Sequence, residues 1–384
     1  MIEAAFHSRL DEIPAASWDG LRHDDHPFTA HAFLAGLERH DCLRADAGWK
    51  PHHLGLYEND QLIAAAPLYL KYNSHGEFVF DWSWAGVYAQ HGLEYYPKLL
   101  TAVPYSPVTG PRLLVRKDQD SLALRRLLIE TIRVETERLG LSSAHVTFVD
   151  AEFVDAGEAS AFAETDWLPR FDWQFHWENR GWCDFEGFLT ALNHKKRKNI
   201  RHERRLVADA GIVCEIRHGD ELTDEDWSDL HRFYLGTFAE RGNYPALTEE
   251  FFRHLGCAMP RQILAVLCRD ARRTIAAAIF LRSANTLYGR YWGAESDIPG
   301  LHFEACYYQG IEYCLREGLQ RFEPGAQGEH KLARGFLPTA TRSFHWIAHP
   351  AFRKAIASAL EREAEALHGY RDDLLAHSPY RIVS

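Results

Sequence analysis

The chain has 384 residues, 46% of them hydrophobic, with a formal net charge of -11. That length can bury a substantial core and suits two domains better than one, while the acidic balance supplies no global field for nucleic acid or anionic lipid, so any polyanion contact has to be local. The seven cysteines (42, 183, 214, 257, 268, 306 and 314) contain no C-x-x-C pair, which argues against a zinc cluster or a disulfide framework and for a reducing, cytoplasmic setting.

The N-terminus lacks a signal-peptide pattern, and the apolar run near residues 62–70 is too short to span a bilayer, so neither secretion nor integral membrane contact is expected. Residues 2–8 read as a strand, and a helical segment from about Ser17 takes in residues 28–39, with Thr29 or a neighbour as cap. His53-Leu-Gly-Leu-Tyr57 alternates as a strand, Glu58-Asn-Asp-Gln61 is a polar turn, and Ile63-Ala-Ala-Ala-Pro-Leu-Tyr-Leu70 is the next strand. Residues 77–86, ending in Trp82-Ser-Trp-Ala-Gly86, complete a three-strand antiparallel meander. The connection from Tyr95-Tyr-Pro97 through Pro104-Tyr-Ser-Pro107 to Gly110-Pro111 is too apolar for a solvated loop. Residues 121–139 form an amphipathic helix with Leu122, Leu124, Leu127, Leu128, Ile132 and Val134 as its apolar residues, and residues 143–149 a strand.

An aromatic strand at 171–179 precedes a helix over 186–209. Strands then follow at 263–267, 275–282 and 286–294, a helix at 302–316 and a strand at 321–323. A charged amphipathic helix over 352–376 closes the chain and is expected to pack across a domain face. Ile275-Ala-Ala-Ala-Ile-Phe-Leu-Arg282 repeats the Ile63 run 212 positions later, inside the same order of strand, turn, strand, strand, helix, strand. One supersecondary unit therefore occurs twice.

Three segments carry chemistry. In the 186–209 helix, His194, Lys195, Arg197, Lys198, Arg201, His202, Arg204 and Arg205 fall on one half of the wheel and Phe188, Leu189, Leu192, Ile200, Leu206 and Val207 on the other. The basic half is either a solvated face or a docking strip for phosphates, with Lys195, Arg197, Lys198 and Arg201 as its contacts. The segment Phe322-Glu-Pro-Gly-Ala-Gln-Gly-Glu-His-Lys-Leu-Ala-Arg-Gly-Phe336 leaves a strand through a Pro-Gly turn. It groups Gln327, Gly328, Glu329, His330, Lys331 and Arg334, offering a base, a proton shuttle and cations beside glycines that allow close approach to a ligand. Third, Trp292-Gly-Ala-Glu-Ser-Asp-Ile-Pro-Gly-Leu-His-Phe-Glu304 runs into a helix. Its Glu304 either stabilises the first turn or serves as general base. Cys306 and Cys314 face the core, and His52-His53 has no partner at metal spacing, so no metal is assigned.

Antiparallel meander, splayed strand, helix and strand together resemble the GNAT acyltransferase fold, and two such units in tandem resemble the FemABX aminoacyl transferases. The Tyr105-Ser-Pro-Val-Thr-Gly110, His302-Phe-Glu304 and Gly325-Ala-Gln-Gly-Glu-His-Lys331 runs look like those of the bacterial FemAB-like "peptidoglycan biosynthesis/recognition" proteins over nearly the whole chain. The basic helix with Arg197 to Ile200 looks like the Arg-x-x-Ile helix that opens the second domain of the FemABX transferases. The resemblance implies an α+β fold of two tandem GNAT-like domains, at 1–165 and 166–350, each a mixed, mainly antiparallel sheet flanked by helices, with a C-terminal helix and tail at 351–384. Typical GNAT enzymes hold the coenzyme A pyrophosphate with an Arg/Gln-x-x-Gly-x-Gly/Ala loop, and neither copy has it; the second offers Asp297-Ile-Pro-Gly300-Leu-His302.

The expected function is therefore transfer of an activated acyl or aminoacyl group to a small-molecule or peptide amine. The donor is acyl-CoA or aminoacyl-tRNA, with tRNA as the only nucleic-acid partner and DNA excluded. Glu304, Glu329 or His330 serves as base. Tyr105, Ser106 and Gly110 from one domain, with Arg290, Tyr291, Gln327, Gly328, Lys331 and Arg334 from the other, bind substrate in a cleft between them. The alternative is a non-catalytic module that binds a peptidoglycan-precursor-like ligand in the same cleft.

Overall fold

The computed structural model describes residues 1–149, 156–240, 242–271, 273–326 and 328–381. Two compact units divide the chain: residues 1–173 with 340–370, and residues 174–339 with 371–384.

In the first unit, β1 (Ile2–His7), β2 (Trp49–Pro51), β3 (His53–Glu58), β4 (Gln61–Ala66), β5 (Leu68–Lys71), β6 (Lys98–Thr101), β7 (Leu114–Val115) and β8 (Ser143–Val149) are interleaved with the helices α1 (Ala15–Asp19), α2 (His31–Arg39), α3 (Trp82–Gln90), α4 (Ser121–Arg138) and α5 (Ala156–Ser160). One sheet runs β1-β3-β4-β7, and β2, β5, β6 and β8 pair successively in another. Asp120 caps α4 by accepting a hydrogen bond from the Ala123 amide at 3.0 Å. The buried face of α4, with Leu124, Leu128 and Ile132, packs with Leu54, Ile63, Leu99 and Val146 in a single core. Thr29 lies in a short 3-10 turn, and the helix after it starts at His31 with Ala30 at its cap position.

The first meander differs from expectation at its third strand. Trp82-Ser-Trp-Ala-Gly86 is helical, the start of α3. The antiparallel partner of β5 is β6, with Leu70 opposite Leu99, and the partner of β4 is β7, with Ala64 opposite Val115. The third strand is thus split around the proline-rich connection. The two tryptophans of residues 82–86 are strand-favouring by themselves, and the packing of Trp84 with Tyr88, Tyr95 and Ile347 in the helical form overrides that local preference.

The chain leaves the first unit along β9 (Leu168–Glu178). In the second unit the helices are α6 (Phe185–Ala191), α7 (His194–Asp209), α8 (Asp224–Glu240), α9 (Glu249–Ala258), α10 (Leu301–Phe303) and α11 (Gln309–Glu317), with the π-helical turn Glu304–Tyr308 joining the last two. Its strands β10 (Val213–His218), β11 (Ile263–Arg269), β12 (Thr274–Arg282), β13 (Thr286–Ala294) and β14 (Arg321–Glu323) form a sheet in the order β10-β11-β12-β13-β14-β9. Here the expected meander β11-β12-β13 is present and antiparallel. The single helix expected over 186–209 is two, because Leu192 is extended and Asn193 caps α7 by accepting from the Lys196 amide. Strand β15 (Leu337–Ile347) starts in the second unit and ends in the first, paired there with β8. Helix α12 (Pro350–Ala376) contributes Ile356 and Leu360 to a core of the first unit and Leu374 to that of the second.

The duplication extends to register. Leu70 pairs with Leu99, which pairs in parallel with Ala144; Arg282 pairs with Leu287, which pairs in parallel with Phe322. Strand β13 follows β14 only from Thr286 to Tyr288 and then diverges from it. A notch between diverging parallel strands exposes backbone and side chains that a regular ladder would occupy, which makes it a natural place for a ligand.

Candidate active site

The notch of the second unit gathers buried charge. Arg290 comes from the diverging part of β13, Glu323 from the end of β14 and Lys331 from the 3-10 turn Glu329–Arg334 that follows. Lys331 is 3% exposed. Its Nζ donates to the Gly325 carbonyl at 2.7 Å, and burial, reinforced by the Arg290 guanidinium, lowers its pKa to about 7. Burial likewise lowers Arg290 to about 10, against the pull of Glu323. Arg290 Nη1 donates to the Gly289 carbonyl at 2.7 Å, while Nε and Nη2 are sealed from solvent.

Behind them on β9 stands His176, 2% exposed, with Nε2 at 3.1 Å from Gln174 Oε1. Burial first, then Arg321, Lys331 and Arg290, hold it well below the usual imidazole range. His176 and Glu323 escaped the sequence reading. Each sits in a strand among apolar neighbours, and only the pairing of β14 with β9 brings them together.

His330 is at the open side of the same turn. Its Nε2 lies 2.8 Å from the Tyr307 hydroxyl, and its ring rests among Phe303, Tyr307 and His302. Burial, then the Arg334 and Lys331 charges, lower its pKa. Gly328, at φ 117°, makes this possible: a Cβ there would stand 2.5 Å from the imidazole of His330. Glu329 is exposed next to it. Gln327 lies outside the described residues.

Two expected site residues are committed elsewhere. Glu304 is 4% exposed; both its oxygens take hydrogen bonds from Arg204 at 3.0 Å, and Oε1 takes another from Gln309 at 2.8 Å. Arg334 donates to Glu203 Oε1 at 2.7 Å and to the Tyr308 hydroxyl at 3.1 Å, with its guanidinium 3.3 Å from the Phe303 ring centre. These pairs fasten α7 to the helical segment beginning at Leu301, and the fit is close: a Cβ on Gly300 would meet the Glu203 carbonyl at 2.7 Å.

Helix α7 carries Lys195, Lys196, Arg197 and Lys198 in its first turns, where the positive end of the helix dipole disfavours cations. Lys195 and Lys198 are exposed and Arg197 half-buried, whereas Arg201 is bonded to Glu186 at 2.5 Å. At the start of the Leu301 segment a cavity of about 470 Å³ is lined by Glu240, Glu295, Asp297, Trp292, Gly300 and His302 among others. Glu295 is neutralised there by Arg232 at 2.5 Å and Arg273 at 2.6 Å, which leaves Asp297 and Glu240 as the carboxylates that oppose a bare pyrophosphate.

In the first unit, Tyr105 (φ 57°) donates from its hydroxyl to the Cys42 carbonyl at 3.0 Å and sets its ring against Trp49. Ser106 is 3% exposed, and a Cβ on Gly110 would meet the His26 ring at 2.5 Å. In the second unit Tyr291 packs its ring on Tyr234 and Phe252. Among the described residues no helix is long and apolar enough to cross a membrane.

A family model described as FemAB-like, peptidoglycan biosynthesis/recognition, matches residues 9–382. Among solved structures, FemX aligns over 92% of this chain and 100% of its own with a TM-score of 0.52 and 10% identity. A tandem GNAT protein from the clavulanic acid biosynthesis pathway aligns over 91% and 99%, at 0.46 and 12%, and L-PGS from Bacillus licheniformis over 88% and 98%, at 0.48 and 10%. No curated protein matches the sequence. The fold is that of two tandem GNAT-like domains, mixed α+β, as the splayed parallel pair in each unit also indicates.

Proposed function

The chain belongs to the FemAB-like peptidoglycan biosynthesis/recognition family, and from that premise we propose that it transfers an activated acyl or aminoacyl group to an amine in the notch of its second unit. The observation that carries this reading is Lys331: a buried amine bonded to one backbone carbonyl, with Arg290 rather than a carboxylate as the largest charge beside it. Burying a cation in that company is unfavourable, and an anionic oxygen would relieve it. Lys331 and Arg290 suit the negative charge that gathers on the carbonyl oxygen as the amine attacks.

The attacking amine also has to lose a proton. His330 is suited to take it. In the tautomer that donates Nε2–H to the Tyr307 hydroxyl, Nδ1 is the acceptor, and the lowered pKa favours the neutral ring that a base needs. Glu329, exposed beside it, is the second candidate base. Glu304 acts instead as scaffold, with both oxygens already bonded to Arg204. Gly328 and Tyr291 would line the substrate path. In the first unit Tyr105, Ser106 and Gly110 shape the connection between β6 and β7.

For the donor we favour aminoacyl-tRNA over acyl-CoA. The loop before Leu301, where typical GNAT enzymes hold a pyrophosphate, offers Asp297 and a Glu295 already paired with Arg232 and Arg273, whereas Lys195, Arg197 and Lys198 crowd the N-terminus of α7 at an electrostatic cost that phosphates would offset. The likeness of fold to FemX is in keeping with the transferase class.

The decisive experiment offers charged tRNAs and acyl-CoA thioesters, each with a panel of peptide and small amines, and follows donor loss and product by mass spectrometry. Consumption of a charged tRNA that His330→Ala slows by about 100-fold or more is the expected result. Consumption of thioesters alone would overturn the donor assignment, and unchanged turnover in both His330→Ala and Lys331→Met would remove the notch from the mechanism.

A further inference from the structure

Cys214 and Cys268 stand directly opposite each other in the antiparallel pair β10 and β11, and their Sγ atoms are 3.1 Å apart. That separation is about 1 Å longer than a disulfide bond of about 2.05 Å. Directly opposed residues of antiparallel strands hold their Cα atoms about 4.5–5.5 Å apart, inside the roughly 4.4–6.8 Å that a disulfide spans. Closing the bond therefore asks for side-chain rotation and little movement of backbone.

Access is one-sided. Strand β10 is the last strand at its end of the sheet, and Cys214 is half-buried there while Cys268 is fully buried. We propose that Cys214 and Cys268 form a redox modification site that closes reversibly into a cross-strand disulfide on contact with a small-molecule disulfide such as oxidised glutathione.

The hydrogen bond to Cys214 and burial both push the Cys268 thiol up, so Cys214 reacts first. Its thiolate attacks one sulfur of the oxidant, expelling one glutathione thiolate and forming a mixed disulfide. Cys268 then attacks the Cys214 sulfur and expels the second. One glutathione disulfide is reduced to two thiols, which take up the two cysteine protons, and the protein dithiol is oxidised. Cys306 lies near enough to act on both thiols electrostatically, but burial holds its own thiol well above the ordinary range, so it remains a bystander. The new bond ties β10 to β11 and closes the loop carrying α8 and α9, which restricts the unfolded chain.

The test uses the full chain with the exposed Cys183 and Cys257 replaced by Ser. The protein is incubated with oxidised glutathione, the remaining thiols are alkylated, and the digest is read by mass spectrometry. A linked Cys214–Cys268 peptide that dithiothreitol abolishes is expected, together with a melting temperature several degrees above the reduced form. Cys268→Ala, which loses only a small buried side chain, should stop at a glutathione adduct on Cys214. A stable Cys214 adduct without cross-link in the parent, a linkage to Cys306, or two fully alkylated thiols would each overturn the proposal.

Discussion

Lys98 and Lys331 are both buried lysines in copies of the same fold, and they have opposite surroundings. In the first unit Lys98 opens β6 and donates to Glu77 at 2.8 Å and to Asp81. Ser74 bonds both carboxylates, and the Tyr95 and Tyr96 hydroxyls donate to Asp81. Burial lowers the Lys98 pKa, but the two carboxylates outweigh it and leave it raised. In the second unit Lys331 has a carbonyl and a neighbouring cation, and its pKa falls to about 7. Lys71, opposite Lys98 in register, is an intermediate case: it bonds Asn73 Oδ1 at 2.6 Å, a neutral partner, and burial lowers it to about 7 as well. Burial with counter-ions makes a lysine part of the scaffold, whereas burial without them leaves it poised for an anionic ligand.

The contrast can be broken by substitution. Lys98→Met strands Glu77 and Asp81 in the interior and should cost about 3–5 kcal/mol of stability, as seen in denaturant unfolding. Lys331→Met should melt no lower than the parent, yet lower kcat/KM by about 100-fold or more. Equal destabilisation by the two changes would erase the distinction.

A pH series sharpens it further. In the unfolded chain the Lys331 amine stays charged to about its ordinary 10.5, but in the folded protein only to about 7. Between those values the unfolded state holds more protons, so this group's contribution to stability improves as pH rises. The deficit of the parent relative to Lys331→Met should be full below pH 7 and shrink toward pH 10; a difference that stays constant from pH 6 to 10 would mean that Lys331 keeps its charge. Affinity for an anionic substrate should run the other way and weaken above pH 7, since the free amine loses the charge that binding needs.

The smallest effect concerns α7. Replacing Lys195, Arg197 and Lys198 by Ala should leave folding intact and flatten the salt dependence of tRNA binding by roughly 2–3 units of log-log slope. An unchanged slope would assign the strip to solvent.

Much of the scaffold was legible because its signals are local. Strands β8, β13 and β14 fall where alternation and turn residues place them, and the repeat of Ile63 at Ile275 announced a shared register that the pairings of Leu70 and Arg282 confirm. Trp82-Ser-Trp-Ala-Gly86 misled because aromatic content alone does not separate a strand from a helix. The loop around His330 and Lys331 stood out by its glycines and its mix of charges.

The sequence by itself determined the duplication, most elements and the loop that carries His330 and Lys331, since each follows from periodicity and turn chemistry within a few residues. Only the tertiary structure decided which charges are free to act. Glu304 met Arg204 from 100 positions away, Arg334 met Glu203 across 131, and Lys331 met no carboxylate at hydrogen-bond distance among the described residues. A charge acquires its role from its neighbours in space, because desolvation and Coulomb terms act over a few ångströms of structure rather than along the chain.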